Sequence, residues 1–199
     1  MKYSICIVGV DGTGKSTMVA KLHKALGEAG SCVQYMGGRL WETNIAKKYR
    51  SGNLPHGIKN SIMCRLSLLY EMYHRVKKHR HCNKIIIFDR YVDEQILLRE
   101  QKTHNIYDKF FVYIYKLFLR KLFYQPDITF YLTCPLHISI ERKDDITSAE
   151  TIERLSKHKK LLDTYYKNKP NVIIIDTADN STEKTFQEIL RNIPQEFRA

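Results

Sequence analysis

Nine residues constrain this chain more than any others: Gly9-Val10-Asp11-Gly12-Thr13-Gly14-Lys15-Ser16-Thr17. Two glycines bracket four variable positions, and a lysine and two hydroxyl residues follow. The flanks are as telling as the run. Tyr3 to Val8 is apolar and β-branched with no breaker, which predicts a buried parallel strand. Beyond the run, Val19, Leu22 and Leu26 fall at helical spacing. A strand, a glycine loop and a helix in that order are the context that confirms a phosphate-binding motif.

The pattern G-x-x-x-x-G-K-[ST] in that context is a phosphate loop. A polyphosphate needs many donors aimed at one place. Glycines let backbone N–H groups curl inward as an anion-binding nest, and the helix N-terminus adds partial positive charge. The residues expected to hold the nucleotide are Gly9, Asp11, Gly12, Thr13, Gly14, Lys15, Ser16 and Thr17. Lys15 can reach the β- and γ-phosphates of ATP, and the Ser16 hydroxyl can hold Mg²⁺ beside it.

Composition bounds the rest. At 199 residues the chain makes one domain, residues 1–199, with room for a real core. The formal net charge of +12 favours anionic ligands. Nucleic acid would profit from the same field, and the run His74 to His81 is strongly basic, but cations also suit a helix end. The five cysteines are odd in number and form no C-x-x-C pair. The first strand begins at residue 3 with no signal peptide before it, and the apolar stretch Phe110 to Leu119 is cut by Lys116 and too short for a bilayer. The expectation is a reduced, cytoplasmic protein that is not membrane-bound.

Four more strands are predicted: Cys32 to Met36, Lys84 to Tyr91, the proline-fenced Pro126 to Pro135, and Asn171 to Asp176. Helices are predicted over Ile62 to Lys78, Asp108 to Gln125, from Ile138, over Ser148 to Tyr166, and over Thr182 to Ile193. In the first of these, Ile62, Leu66, Leu69, Tyr70 and Tyr73 form one apolar face. The polar stretch Lys47 to Lys59, with Gly52, Pro55 and Gly57, reads as a loop. Alternating strands and helices predict a three-layer α/β fold of the P-loop NTPase type, a five-stranded parallel sheet with helices on both faces. The third strand ends in Asp89-Arg90-Tyr91, where open α/β sheets place their ligands.

Taken together, the acidic phosphate loop with Asp11, then Asp89-Arg90-Tyr91, then Pro126-Asp127-x-x-Phe130-Tyr131-Leu132, then Glu141-Arg142-Lys143, resemble the thymidylate kinases in order and interval. The resemblance spans nearly the whole chain. It implies a homodimer and transfer of the ATP γ-phosphate to dTMP with Mg²⁺. Carried over by position, Asp11, Arg39, Arg75, Asp89, Arg90 and Tyr91 would serve the acceptor, and Ser16 and Asp89 the metal. Lys15, Asp89, Arg90 and Arg142 would form the catalytic set. Departures accompany the match. The phosphate loop has no arginine at its variable positions, and the segment around Arg75 is one residue longer than usual. The short lid, about residues 142–151, offers only Arg142 and Lys143.

The leading expectation is therefore an ATP-dependent kinase of dTMP or a related nucleotide, with Arg142 as the lid cation. A phosphate acceptor needs no general base. A hydroxyl acceptor, as in a nucleoside or non-nucleotide kinase, would need Asp11, Glu71 or Asp89 to orient or deprotonate it. A nucleotide-binding regulatory protein with weak catalysis is the reading from another class. Nucleic-acid binding ranks below both.

Overall fold

The computed structural model describes residues 3–37, 47–48, 51, 58–79, 83–102, 106–117, 119–143 and 148–198. Arg39, most of the loop expected over 47–59 and the middle of the expected lid lie outside the described residues.

Five strands form one parallel sheet: β1 (Tyr3–Gly9), β2 (Ser31–Tyr35), β3 (Ile85–Asp89), β4 (Ile128–Thr133) and β5 (Val172–Asp176). Their order across the sheet is β2-β3-β1-β4-β5. The chain thus starts in the middle, runs to one edge, and crosses over β1 to finish at the other. The crossover opens a crevice beyond the carboxyl ends of β1 and β3, where such sheets bind ligands. Ile7 pairs in register with Asp89, and Gly9 with Leu132.

Strand alternation sorts the core into two layers. Ile5 and Ile7 face one way and pack with Met18, Val19 and Leu22 of α1 (Lys15–Ala25) and Ile189 of α7 (Thr182–Arg191). Cys6 and Val8 face the other way. There they meet α2 (Ile58–His79), α3 (Val92–Lys102), α4 (Ile106–Leu117) and α6 (Ala149–Tyr166). A short α5 (Leu136–Glu141) follows β4. Helices on both faces of a five-stranded parallel sheet are the fold expected from sequence.

Three local expectations change. The helix expected over Asp108 to Gln125 ends at Leu117, and Leu119–Leu122 is a separate 3₁₀ turn. On α2 the buried apolar residues are Leu68, Leu69, Met72 and Val76, while Ile62, Leu66 and Tyr70 are exposed. The core face of α2 also buries Arg65, Glu71 and Arg75, so charges interrupt the apolar stripe that a pattern search follows. Helix α3 went unpredicted for the same reason: Asp93 and Glu94 lie on its buried side. By contrast, α6 starts where capping chemistry placed it. The Ser148 side chain accepts a hydrogen bond from the Thr151 N–H.

Asp127 fastens the amino-terminal edge of the sheet. Its Oδ2 accepts from the Ser4 N–H at 2.8 Å and the Ser4 hydroxyl at 2.7 Å, and its Oδ1 from the Tyr124 hydroxyl at 2.9 Å. Asp127→Ala strands these donors, and denaturant unfolding is expected to show a loss of about 2–4 kcal/mol. ATP affinity should stay within twofold, because the bond lies at the opposite end of the strands from the crevice.

Candidate active site

Residues 9–17 leave β1 and wind into α1 with glycines at three positions of positive φ, Gly9, Gly12 and Gly14. Gly12 (φ +87°) lies so close to the Ser139 backbone of α5 that a Cβ would collide with it. Gly14 (φ +84°) takes the left-handed conformation at the N-cap of α1. The Val10 carbonyl closes the loop from inside. It accepts from the Thr13 hydroxyl at 2.8 Å and from Lys15 Nζ at 2.6 Å. Thr13 is buried, with its hydroxyl turned inward, and its side chain braces the loop.

A cavity of about 470 Å³ opens above this loop. Asp11, Gly12, Gly14, Lys15, Ser16 and Thr17 line its floor, and Asp89 and Arg90 one wall. Arg142 and Lys143 come from the root of the lid, and Tyr35 from the end of β2. Six of the eight nucleotide-binding residues expected from sequence, together with Asp89, Arg90 and Arg142, therefore share one cavity. Gly9 belongs to the strand end and Thr13 to the loop's interior.

Charge in the cavity is tightly coupled. Burial pushes the Lys15 ammonium down to about 8 and Arg90 adds repulsion, against the attraction of Glu94 and Asp11. Burial alone would raise the Asp11 carboxyl, but Arg90 and Lys15 outweigh it and hold the group below its ordinary value. Asp11 Oδ1 lies 2.5 Å from Arg90 Nη2 and 3.7 Å from Lys15 Nζ. Asp89 moves the other way: burial raises its carboxyl despite Arg90 and Lys15. Arg90 itself has a left-handed backbone (φ +68°), and its Nη1 pairs with the buried Glu94.

Arg142 caps α5 and reaches across to the turn after β5. Its Nη2 donates to the Thr177 carbonyl at 2.8 Å, and its Nη1 lies 3.3 Å from the Thr177 hydroxyl. Arg75 is buried, with Nη1 donating to the Gly37 carbonyl at 3.3 Å. Tyr91, expected to shape the acceptor pocket, is instead a core residue. Its ring meets Phe88 edge-on, and its hydroxyl donates to the Tyr124 carbonyl. The side chains of Arg75 and Tyr91 do not line the cavity.

Ser16 and Asp89 present hard oxygens to the same cavity, which suits Mg²⁺. Among the described residues no group of three acidic, His or Cys side chains could enclose a metal by itself. A bound Mg²⁺ would thus take its remaining ligands from phosphate and water, as this ion usually does.

Sequence reasoning missed Tyr35 and Glu94. Tyr35 ends a parallel strand, so the rule that singled out Asp89 applied to it too. Its ring lies over Gly37 and leaves no room there for a Cβ. Glu94 stands one helical turn beyond Arg90, a spacing at which opposite charges meet. Lys143 was noted within the lid but given no role.

The proton on Lys15 is expected to make nucleotide binding pH-dependent. A bound triphosphate places anions against the ammonium and raises its pKa above the empty site's value of about 8. Binding then takes up a proton above that pH. ATP affinity is expected to be flat from pH 7 to 8 and to fall by up to about tenfold per pH unit above 8. Lys15→Arg, which stays charged throughout, should remove the slope in a titration with a fluorescent ATP analogue.

Comparison with known proteins finds relatives along nearly the whole chain. The family described as "Thymidylate kinase" matches residues 7–189. A thymidylate kinase of Aster yellows witches'-broom phytoplasma (strain AYWB) is 29% identical, with 98% of each chain covered. One from Thermosipho africanus (strain TCF52B) is 26% identical, covering 93% of this chain and 94% of the relative. Among solved structures, thymidylate kinase from Candida albicans superposes with a TM-score of 0.67 at 18% identity, covering 96% of this chain and 90% of that one. Deoxyadenosine kinase from M. mycoides gives 0.66 at 18% identity, with 94% and 97% covered. Among the described residues no helix is long and apolar enough to cross a membrane. With the phosphate loop, the Asp89-Arg90 strand end and the lid root gathered on one crevice, and the match running through nearly the whole chain, the protein is a nucleotide kinase that belongs to the thymidylate kinase family.

Proposed function

We propose that the protein transfers the γ-phosphoryl group of ATP, with Mg²⁺, to the phosphate of dTMP or a closely related nucleotide. The observation that carries this is the grouping of Lys15, Arg90 and Arg142 around one cavity with Ser16 and Asp89. Phosphoryl transfer asks mainly for positioning and neutralisation of spreading negative charge. Lys15 releases the Val10 carbonyl and turns to the β- and γ-phosphates. Arg90 holds the acceptor phosphate, while Asp11 faces the acceptor's sugar. Arg142 meets the donor from the lid side. Mg²⁺, held by Ser16 and beside Asp89, adds neutralisation when the nucleotide is bound. Arg75 and Arg39 remain acceptor-side proposals, carried by the family pattern alone. The acceptor's phosphate oxygen is already anionic at neutral pH, so no base is required.

Asp89 favours a second reading. Burial raises its carboxyl, which makes it a better proton acceptor for a sugar hydroxyl. Mg²⁺-dependent ATP consumption with dTMP, the other nucleoside monophosphates and then nucleosides, one at a time, separates the two. Stimulation by dTMP or another monophosphate supports the first reading, and stimulation by nucleosides alone replaces it with the second. Arg142→Ala is expected to lower kcat about ten- to hundredfold while ATP affinity changes less than threefold. An unchanged kcat would remove Arg142 from the mechanism.

We add a homodimer. Ile62, Leu66 and Tyr70 on α2 and Phe110, Tyr113 and Leu117 on α4 are exposed apolar residues at helical spacing, as a subunit interface requires. Sedimentation equilibrium tests it directly. ATP dependence and the buried thiols Cys6 and Cys134, unbridged among the described residues, suit a reducing, cytoplasmic compartment.

A further inference from the structure

Among the described residues Glu94 is the most deeply buried charged side chain, at 0% exposure. A buried carboxylate is tolerated only where something compensates it, so its partners reveal its purpose. Oε1 pairs with Arg90 Nη1. His158 Nε2, on α6, lies 3.5 Å from the same oxygen. Oε2 has no hydrogen-bond partner among the described residues. Oε1 of Glu94 is thus shared between Arg90 and His158, and of these two Arg90 is the one that lines the cavity.

Arg90 in turn is held at two edges. Nη1 is anchored in the core by Glu94, and Nη2 points across the cavity to Asp11 Oδ1 at 2.5 Å. Its backbone adopts a left-handed conformation (φ +68°), which non-glycine residues seldom take, and its side chain reaches Asp11 of the phosphate loop. A flexible arginine has many rotamers. Here one edge is fixed by Glu94, and the other meets the half-exposed Asp11 at the cavity, so an incoming anion would share Nη2 with that carboxylate or displace it.

We propose that Glu94 is the positioning residue of Arg90: it locks the Nη1 edge of the guanidinium so that the Nη2 edge is presented to the acceptor phosphate. The proposal rests on the assignment of Arg90 to the acceptor made above. A planar guanidinium held at one edge binds a phosphate with its remaining donors at little loss of freedom. Burial would raise the Glu94 carboxyl, but His158 and Arg90 outweigh it, so the anchor remains an anion at neutral pH.

The test uses the full chain in two assays. In ¹⁵N-labelled protein the Arg90 guanidinium, assigned by its loss in Arg90→Lys, should give resolved, slowly rotating Nη signals. These should collapse into the exposed-arginine envelope in Glu94→Gln. With dTMP as acceptor, Glu94→Gln should raise the KM for dTMP by about ten- to hundredfold and the KM for ATP by less than threefold. Glu94→Asp keeps the charge in the core and guards against misfolding of the glutamine variant. It should fold, yet still raise the KM for dTMP, because the shorter side chain draws the carboxylate back from Nη1. Unchanged Arg90 signals in both variants overturn the proposal. So does full recovery by Glu94→Asp, or a dTMP KM that moves in Arg90→Lys but not in Glu94→Gln. If the wild type does not phosphorylate dTMP, the acceptor assignment falls, and the Arg90 signals still decide whether Glu94 positions it.

Discussion

Lys15→Met is expected to lose phosphoryl transfer by on the order of 10³-fold or more, and yet to be at least as stable as the wild type when no nucleotide is present. The two halves have one cause. Burial and Arg90 lower the Lys15 pKa from 10.5 to about 8, which corresponds to about 3 kcal/mol of penalty on the charged folded form. The sign follows from linkage. The folded value lies below the unfolded one, so the penalty is fully present below pH 8 and is relieved as pH rises from 8 to about 10.5. At pH 7 a methionine of similar length removes the charge and with it the penalty. Two melting curves decide the matter. Without nucleotide the variant should melt at or above the wild-type temperature, and with ATP and Mg²⁺ only the wild type should shift upward. A variant that is destabilised without nucleotide would mean that the Val10 and Asp11 contacts outweigh burial. An ATP shift equal to the wild type's would remove Lys15 from the donor site.

Arg90→Met is expected to damage both stability and function. It leaves Glu94 buried at 0% exposure with only His158 at 3.5 Å. Removing one partner of a buried pair costs about 3–5 kcal/mol. It also removes the cation proposed above to hold the acceptor, and turnover is expected to fall by on the order of 10²-fold or more. A second substitution separates the effects. Arg90→Met combined with Glu94→Leu replaces the whole pair by apolar groups, which is often close to neutral for stability. The double variant should recover most of the lost unfolding free energy and none of the lost turnover. Recovery of turnover would contradict the role of Arg90. A single variant as stable as the wild type would show that Glu94 does not depend on Arg90.

The sequence was most readable where burial is uniform. The strands are continuous apolar runs with charged or glycine-rich ends, and all five were recognisable. The phosphate loop was equally plain, because nest geometry and anion chemistry leave few residue choices. What escaped notice shares one physical origin. On α2 and α3 the buried faces carry Arg65, Glu71, Arg75, Asp93 and Glu94, and periodicity arguments assume that charge means solvent. That assumption misjudged the core face of α2, where Leu69 and Tyr73 pack inward but Ile62, Leu66 and Tyr70 face out, and concealed α3 altogether. The break after Leu117 had no glycine or proline to announce it. Tyr91 misled in the opposite sense. It stands beside two cavity residues in sequence, but the strand end turns there, and its ring falls into the core.

The closeness of Gly12 to Ser139 bears on how Arg142 is held. Helix α5 is seated directly on the phosphate loop at that contact, and Arg142 leaves the same helix one turn later to grip Thr177. Its root and its tip are therefore both moored before any substrate arrives. For the role proposed for Arg142, a cation delivered by a moving segment would surrender conformational freedom in every cycle, whereas a cation held at Thr177 surrenders it once, when the chain folds.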